Sequence, residues 1–107
     1  MNTQNKATEV LISSFADDED MLELVEMFVE ELPSRAKSIE TALSRHDLAT
    51  LKSLAHQLKG AAGGYGFPAI TDVAQELEES CKMQADLEKL TAQTQQIIAM
   101  CHSARAR

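Results

Sequence analysis

The sequence contains few of the residues that build sheet proteins. Tryptophan is absent, and the 107 residues include one tyrosine and three phenylalanines. Alanine, leucine, glutamate, glutamine, lysine and methionine dominate, and these residues favour helices. We therefore expect an all-α protein that forms a single domain over residues 1–107, a length sufficient to bury a core.

Positive charge is also scarce. The 17 acidic residues outnumber the 10 lysines and arginines, so the net charge is −7 at pH 7. Because proteins that coat nucleic acids need basic surfaces, this composition argues against nucleic-acid binding. A short basic segment, HSARAR at residues 102–107, does not change that balance. We expect it to be a frayed, solvated tail.

Long apolar runs are missing as well. No segment approaches the roughly 20 apolar residues that span a membrane, and MNTQNKATEV at the start lacks the layout of a signal peptide. We therefore expect a cytoplasmic protein, in which thiols stay reduced. Cys81 and Cys101 have no CxxC spacing, so we interpret them as buried free thiols. Cys101 and His102 are not interpreted as a metal site, because adjacent helical residues point about 100° apart.

Hydrophobic spacing predicts a short helix followed by long amphipathic ones. Residues 6–14 are typical of a short amphipathic helix. Asp17 or Asp18 then caps a segment that continues to about Arg45, with a kink or restart at Pro33. Three further helices are predicted at about 48–64, 68–83 and 87–103, with Asp47, Pro68 and Asp86 at their starts.

Short connections between four long amphipathic helices predict an antiparallel four-helix bundle over about residues 18–104, preceded by the short N-terminal helix. The last of these helices should turn the following residues inward: Leu87, Leu90, Thr94, Ile97, Ile98 and Cys101.

The four glycines of the chain all fall within residues 56–67, HQLKGAAGGYGF. Glycine inside a helix costs up to about 1 kcal/mol relative to alanine, so this concentration requires a cause. His56 lies roughly 130° from the centre of the apolar stripe of its helix, which predicts an exposed imidazole. Lys52, Lys59, Gly60 and Gly63 are expected on the same side, within about 60° of His56.

This face combines an imidazole with two lysines on a surface that has few side chains. Bare backbone lets another protein approach closely, lysines attract anions such as phosphate, and neutral imidazole is a nucleophile near pH 7. The pattern predicts that His56 accepts and donates a charged group from a docked partner. A solvated surface histidine is the alternative. Close helix packing is the alternative for Gly64 and Gly66, but not for Gly60 on the outer face.

The segment from His56 to Phe67 resembles the signature of histidine phosphotransfer (HPt) domains. These domains are four-helix bundles that pass phosphoryl groups between receiver domains in bacterial multistep phosphorelays. The motif is also similar to the first domain of chemotaxis histidine kinases. The resemblance extends over nearly the whole chain, since FVEELPSRAKSIETAL at residues 28–43 is similar to the family's first two helices.

Carried over by position, the resemblance implies that His56 is phosphorylated at Nε2 and that Lys59 neutralises the phosphoryl oxygens. Gly60 and Gly63 would clear the docking surface. Glu78, on the next helix, would hydrogen-bond the other imidazole nitrogen and so leave Nε2 free.

Glu78, Lys52 and Gln57 each have an alternative interpretation. Glu79 is the fallback for the role of Glu78, and Glu78 itself is otherwise one more solvated acid. Lys52 and Gln57 are assigned to partner docking, with an ordinary surface position as the alternative for each.

The resemblance also implies the partners, which are response-regulator receiver domains and a sensor or hybrid histidine kinase. Mg²⁺ would be bound by the receiver, so we expect no cofactor or metal in this chain. Neither GxxxxGK[ST] nor GxGxxG occurs. We therefore expect a monomeric covalent phosphocarrier and not an enzyme. Two alternatives stay open: the phosphoacceptor domain of a chemotaxis-type kinase, and a helical interaction module that is not phosphorylated.

Overall fold

The computed structural model describes residues 9–107, which form a bundle of four helices. The helices are α1 (Glu19–Ser44), α2 (Leu48–Gly64), α3 (Pro68–Lys82) and α4 (Leu87–Ser103). Two short strands, β1 (Leu11–Ile12) and β2 (Ala104–Arg105), flank them in the sequence. The predicted all-α class is confirmed.

The helices begin where capping residues place them. Asp18, Asp47 and Asp86 each precede a helix, and each side chain accepts a hydrogen bond from a backbone N–H of the first turn. Helix α3 begins with Pro68, whose missing N–H would have no partner inside the helix at that position. Local sequence therefore sets the helix starts, as predicted.

One apolar core lies between the four helices, and α2 and α3 bring the candidate site to its edge. The contacts between these two helices run in opposite order along the chain. The carbonyl of Lys59 accepts a hydrogen bond from Thr71. His56, which precedes Lys59 on α2, contacts Glu78, which follows Thr71 on α3. Helices α2 and α3 are therefore antiparallel. The largest fully buried side chains are Leu32, Ile39, Leu51, Leu58, Ile70, Leu77, Ile97, Val25 and Thr94.

Helix α1 continues through Pro33. Of the predicted kink or restart at that residue, the restart is therefore wrong, and the kink stays a prediction. Proline removes one helical hydrogen bond and crowds the carbonyl four residues earlier, here that of Val29. Pro33 itself lies on the exposed side of α1. Leu32 and Ala36 are buried on either side of it. Packing of the apolar face therefore keeps a single helix where the resemblance suggested two.

The N-terminal segment contains the extended strand β1 and no helix among its described residues. The predicted helix at 6–14 is therefore wrong for residues 9–14, and residues 6–8 lie outside the described residues. Strand β1 pairs in parallel with β2, with Leu11 opposite Ala104 and Ile12 opposite Arg105. The Ser13 N–H also donates to the Arg105 carbonyl at 3.1 Å. A nine-residue helix is marginal by itself, and this pairing satisfies the backbone of the segment instead.

The C-terminal segment HSARAR is part of the fold, so the prediction of a frayed tail is wrong. His102 and Ser103 complete α4, and Ala104 is buried in the core. Arg105 belongs to β2 and pairs with β1. The paired positions of β1 and β2 are more than ninety residues apart, so the local sequence carries no sign of their pairing. The prediction of a solvated tail rested only on the charge of this segment.

Two further predictions concern the core. Cys81 and Cys101 are buried free thiols, as expected. Burial raises the pKa of both thiols, that of Cys101 to about 11, so both are protonated at neutral pH. Leu87 is half exposed, so its predicted inward position is wrong. It is the first residue of α4, where the helix has not yet entered the core.

Candidate functional site

His56 lies near the middle of α2 and faces solvent. Its side chain is 65% exposed, whereas Leu51, Ala55 and Leu58 on the opposite side of the helix are fully buried. The helical spacing therefore orients the imidazole as predicted. An imidazole in this position is open to a partner protein.

Glu78 of α3 holds one nitrogen of this ring. Glu78 Oε2 lies 3.0 Å from His56 Nδ1, and the carboxylate side chain is 9% exposed. An ionised carboxylate can only accept hydrogen bonds, so Nδ1 is the nitrogen that carries the proton. In the neutral ring, the lone pair is therefore on Nε2.

Lys59 keeps the Glu78 carboxylate charged. Its Nζ lies 2.8 Å from Glu78 Oε1, and its side chain is 29% exposed. Hydrogen bonding from Lys59 is the main cause that lowers the pKa of Glu78, and the hydrogen bond from His56 adds to it, while burial opposes both. Glu78 is therefore ionised at neutral pH and can orient the imidazole.

Lys82 is a member of this cluster that the sequence analysis missed. Its Nζ lies 3.9 Å from Glu78 Oε2 and 3.6 Å from Glu79 Oε2, and its side chain is 48% exposed. The signal was present, since a lysine four residues after a glutamate shares its helix face. Glu79, the fallback for Glu78, is exposed and pairs with Lys82.

The glycines of α2 fall into two groups. A Cβ added at Gly60 or Gly64 would have no described atom outside the helix within 4 Å. One added at Gly63 would lie 3.3 Å from Thr71 Oγ1, whose hydroxyl donates to the Lys59 carbonyl at 2.9 Å. Gly60 and Gly64 therefore bare the outer face, while Gly63 admits the close approach of α3. The docking role of Gly63 stays a prediction.

The two remaining residues assigned to docking are both exposed. Lys52 lines a cleft of about 240 Å³ between α2 and α3, together with Cys81 and Lys82. Gln57 donates from Nε2 to Ser53 Oγ at 3.3 Å. The structure therefore places Lys52 on the α3 side of His56, one helical turn away, and Gln57 beside His56 on the surface.

The loop after α2 is fixed by packing. The Tyr65 ring stacks on Phe28 with centroids 4.7 Å apart, and Phe67 is buried. Gly66 has a φ of +87°, and its carbonyl accepts a hydrogen bond from the Ser14 N–H at 2.8 Å. Ser13 Oγ donates to the Tyr65 carbonyl at 2.8 Å. The N-terminal segment therefore secures the turn that sets α3 against α2.

Residues 9–107 contain neither a metal-binding cluster nor a membrane-spanning helix. Among these residues, no three histidine, cysteine or acidic side chains come together in a way that could hold a metal ion. None of the helices formed by the same residues combines the length and the apolar character needed to cross a membrane.

Comparison with models of protein families gives a match over most of the chain. A family model described as Hpt domain matches residues 23–107. No match was found among curated proteins or among solved structures. The matched range covers most of the chain and includes His56, Lys59, Glu78 and Lys82. The chain therefore belongs to the Hpt domain family, whose members act in phosphorelay signalling as histidine phosphocarriers.

Proposed function

We propose that the protein accepts a phosphoryl group on His56 Nε2 from the aspartate of a receiver domain and passes it to a second receiver in a bacterial multistep phosphorelay. The observation that carries this proposal is the exposed imidazole whose Nδ1 is held by the buried, charged Glu78. That contact leaves Nε2 as the nucleophilic atom.

In the first transfer, Nε2 attacks the phosphorus in line with the bond to the aspartate oxygen. The N–P bond forms as the P–O bond breaks, and the carboxylate leaves with the electron pair. The phosphorylated ring keeps its proton on Nδ1 and becomes positively charged, and Glu78 Oε2, 3.0 Å away, stabilises that charge. The second transfer reverses these steps toward another aspartate.

The two partners divide the remaining tasks. The acidic pocket of the receiver supplies Mg²⁺, and this chain supplies the nucleophile and nearby lysines. The resemblance assigns Lys59 to the phosphoryl oxygens, and its 2.8 Å ion pair supports a further task, which is to hold Glu78. The bare surface at Gly60 and Gly64 lets the receiver reach His56. The protein would act as a cytoplasmic monomer that does not bind nucleotide.

The experiment is a transfer assay with receiver domains carrying a labelled phosphoryl group. We expect the label to pass to the wild-type protein within seconds and to be labile in acid and stable in base. His56→Gln should abolish labelling, whereas the matched variant His102→Gln, which changes another exposed histidine, should keep it. Retained label on His56→Gln would contradict the proposal.

A parallel arm replaces the receiver with histidine kinase cores and ATP. Labelling by a kinase core but by none of the receivers would favour the phosphoacceptor domain of a chemotaxis-type kinase. Absence of label in both arms would favour an interaction module that is not phosphorylated.

A further inference from the structure

Another cleft lies between α3 and α4, and we call it the α3–α4 cleft. Its volume is about 670 Å³, which is in the range of small-molecule sites. Its lining includes Asp72, Glu76, Glu79 and Ser80 of α3 and Lys89 and Gln93 of α4. His56 does not line it, and Glu78, which holds His56, contacts α2 instead. The cleft is therefore separate from the histidine site.

Negative charge exceeds positive charge in the α3–α4 cleft. Three carboxylates, those of Asp72, Glu76 and Glu79, line it against the one ammonium group of Lys89, which leaves two negative charges. Within residues 9–107, neither Asp72 nor Glu76 makes an ion pair, and Lys89 makes none either. Glu79 pairs with Lys82 at 3.6 Å. Two of the carboxylates therefore have no cation from the described part of the chain.

Two polar groups in the cleft that are not acids also lack partners. Ser80 is 6% exposed, and its hydroxyl has no hydrogen-bond partner among the described residues. Gln93 Oε1 is shielded from water, and it has no donor among the same residues. A shielded acceptor without a donor costs free energy. Both groups therefore favour a hydrogen-bond donor that enters the cleft, toward which the half-buried glutamine can turn its amide.

The three carboxylates form a row along the axis of α3. Asp72 and Glu76 are four residues apart, a rise of about 6 Å, and Glu76 and Glu79 are three residues apart, a rise of about 4.5 Å. Nowhere in residues 9–107 do three acidic, histidine or cysteine side chains converge to hold a metal ion. The row therefore suits an elongated cation with several charges better than a compact ion.

A linear aliphatic polyamine has this form. The three-carbon and four-carbon links of spermidine separate its nitrogen atoms by about 5 Å and 6 Å when extended. These separations are close to the two rises along α3, so each charged nitrogen can lie beside one carboxylate of the row. The N–H groups that remain can donate to the Ser80 hydroxyl and to Gln93 Oε1.

We propose that the α3–α4 cleft binds a linear aliphatic polyamine. Its charged nitrogens lie on Asp72, Glu76 and Glu79, and its N–H groups satisfy Ser80 and Gln93. Binding relieves the repulsion within the row of carboxylates, and salt weakens it because the row is exposed. This site does not depend on phosphoryl transfer at the histidine.

The test is a titration of the ¹⁵N-labelled full chain with spermidine at constant ionic strength. NMR spectra follow the Ser80 backbone amide and the Gln93 side-chain amide, and calorimetry gives the affinity. The variants are Glu76→Gln, Ser80→Ala, Lys89→Gln and the matched control Glu23→Gln, which changes an exposed acid of α1. Putrescine and Mg²⁺ are the comparison ligands.

We expect spermidine to shift both amide signals in a saturable way. Glu76→Gln should weaken binding by about tenfold, because the middle of the row loses its charge. Ser80→Ala should weaken it by about threefold, Lys89→Gln should strengthen it, and Glu23→Gln should match the wild type. Putrescine spans only two carboxylates, so it should bind about tenfold more weakly than spermidine. Mg²⁺ should leave both signals in place.

The proposal is overturned if spermidine shifts neither amide signal, if Mg²⁺ shifts both equally, or if Glu76→Gln binds as tightly as the wild type. His56→Gln should bind spermidine like the wild type. The phosphorelay can therefore fail in the transfer assay while the polyamine site stands, and the polyamine site can fail in the titration while the phosphorelay stands.

Discussion

The outer face of α2 and the turn at its C-terminal end both depend on glycine, for opposite reasons. On the outer face, a Cβ at Gly60 or Gly64 would meet no described atom outside the helix within 4 Å. In the turn, a Cβ at Gly66 would lie 2.5 Å from Ser13 Oγ and 2.7 Å from Ser14 Oγ. The outer glycines therefore leave space for something outside the chain, and Gly66 leaves space for the chain itself.

This difference separates function from stability within one short motif. Glycine weakens a helix, so its presence at Gly60 lowers stability with no packing gain among the described residues. Gly66 has a positive φ that other residues rarely adopt, and it lies beneath the N-terminal segment. Substitution in the first region should impair docking, and substitution in the second should impair folding.

Gly66→Ala should lower the free energy of unfolding by about 2–4 kcal/mol. The left-handed backbone is strained for alanine, and the new methyl group overlaps the backbone-anchored Ser13 and Ser14. Urea denaturation would measure the change. The folded fraction should still accept phosphoryl on His56. An unchanged midpoint would show that the N-terminal segment does not secure this turn.

Gly60→Ala should have the opposite effect, because it should preserve stability and impair docking. We expect the free energy of unfolding to stay the same or rise by up to about 1 kcal/mol, because alanine favours the helix. Transfer from a receiver should slow by about tenfold, since a methyl group now separates the two backbones. Phosphoramidate is a small donor that phosphorylates imidazole without a partner protein, so its reaction with His56 should be unaffected. Equal rates from the receiver for wild type and variant would remove Gly60 from the docking surface.

The pH dependence of the free energy of unfolding should also differ between the site at Glu78 and the turn at Gly66. We expect this effect to be smaller than those of the two glycine substitutions. Because the pKa of Glu78 is lowered in the folded state, mainly by Lys59, the charged carboxylate stabilises the protein above the unfolded value of 4.5. That stabilisation is lost as the pH falls below 4.5 toward the folded pKa. Glu78→Gln should therefore flatten the stability profile in this range, as measured by urea midpoints. Gly66→Ala should shift the whole profile down without changing its slope, and a Glu78→Gln profile parallel to the wild type would contradict the ion-pair argument.

The sequence predicted the local features of the fold well. Capping aspartates and helical spacing located the four helices, because both act within one or two turns. The same spacing placed His56 on the exposed side. It did not predict the pairing of β1 with β2 or the continuity of α1 at Pro33, because both depend on packing between distant parts of the chain.

The site was predictable to a similar degree. His56, Lys59 and Gly60 share one motif on one helix, so their neighbourhood followed from angles. Glu78 came from the family resemblance alone, since spacing does not tell which acid of α3 faces α2. Lys82 follows Glu78 by one helical turn, and it lies at the site because Glu78 is buried against His56.

The contact between Glu78 and Nδ1 also has an analytical consequence. Imidazole can form two phosphoramidates, the pros isomer at Nδ1 and the tele isomer at Nε2. With the carboxylate occupying the pros nitrogen, any phosphohistidine at position 56 has to be the tele compound. An antibody or a mass-spectrometric standard that distinguishes the two isomers would therefore follow this protein in mixtures through one chemical species.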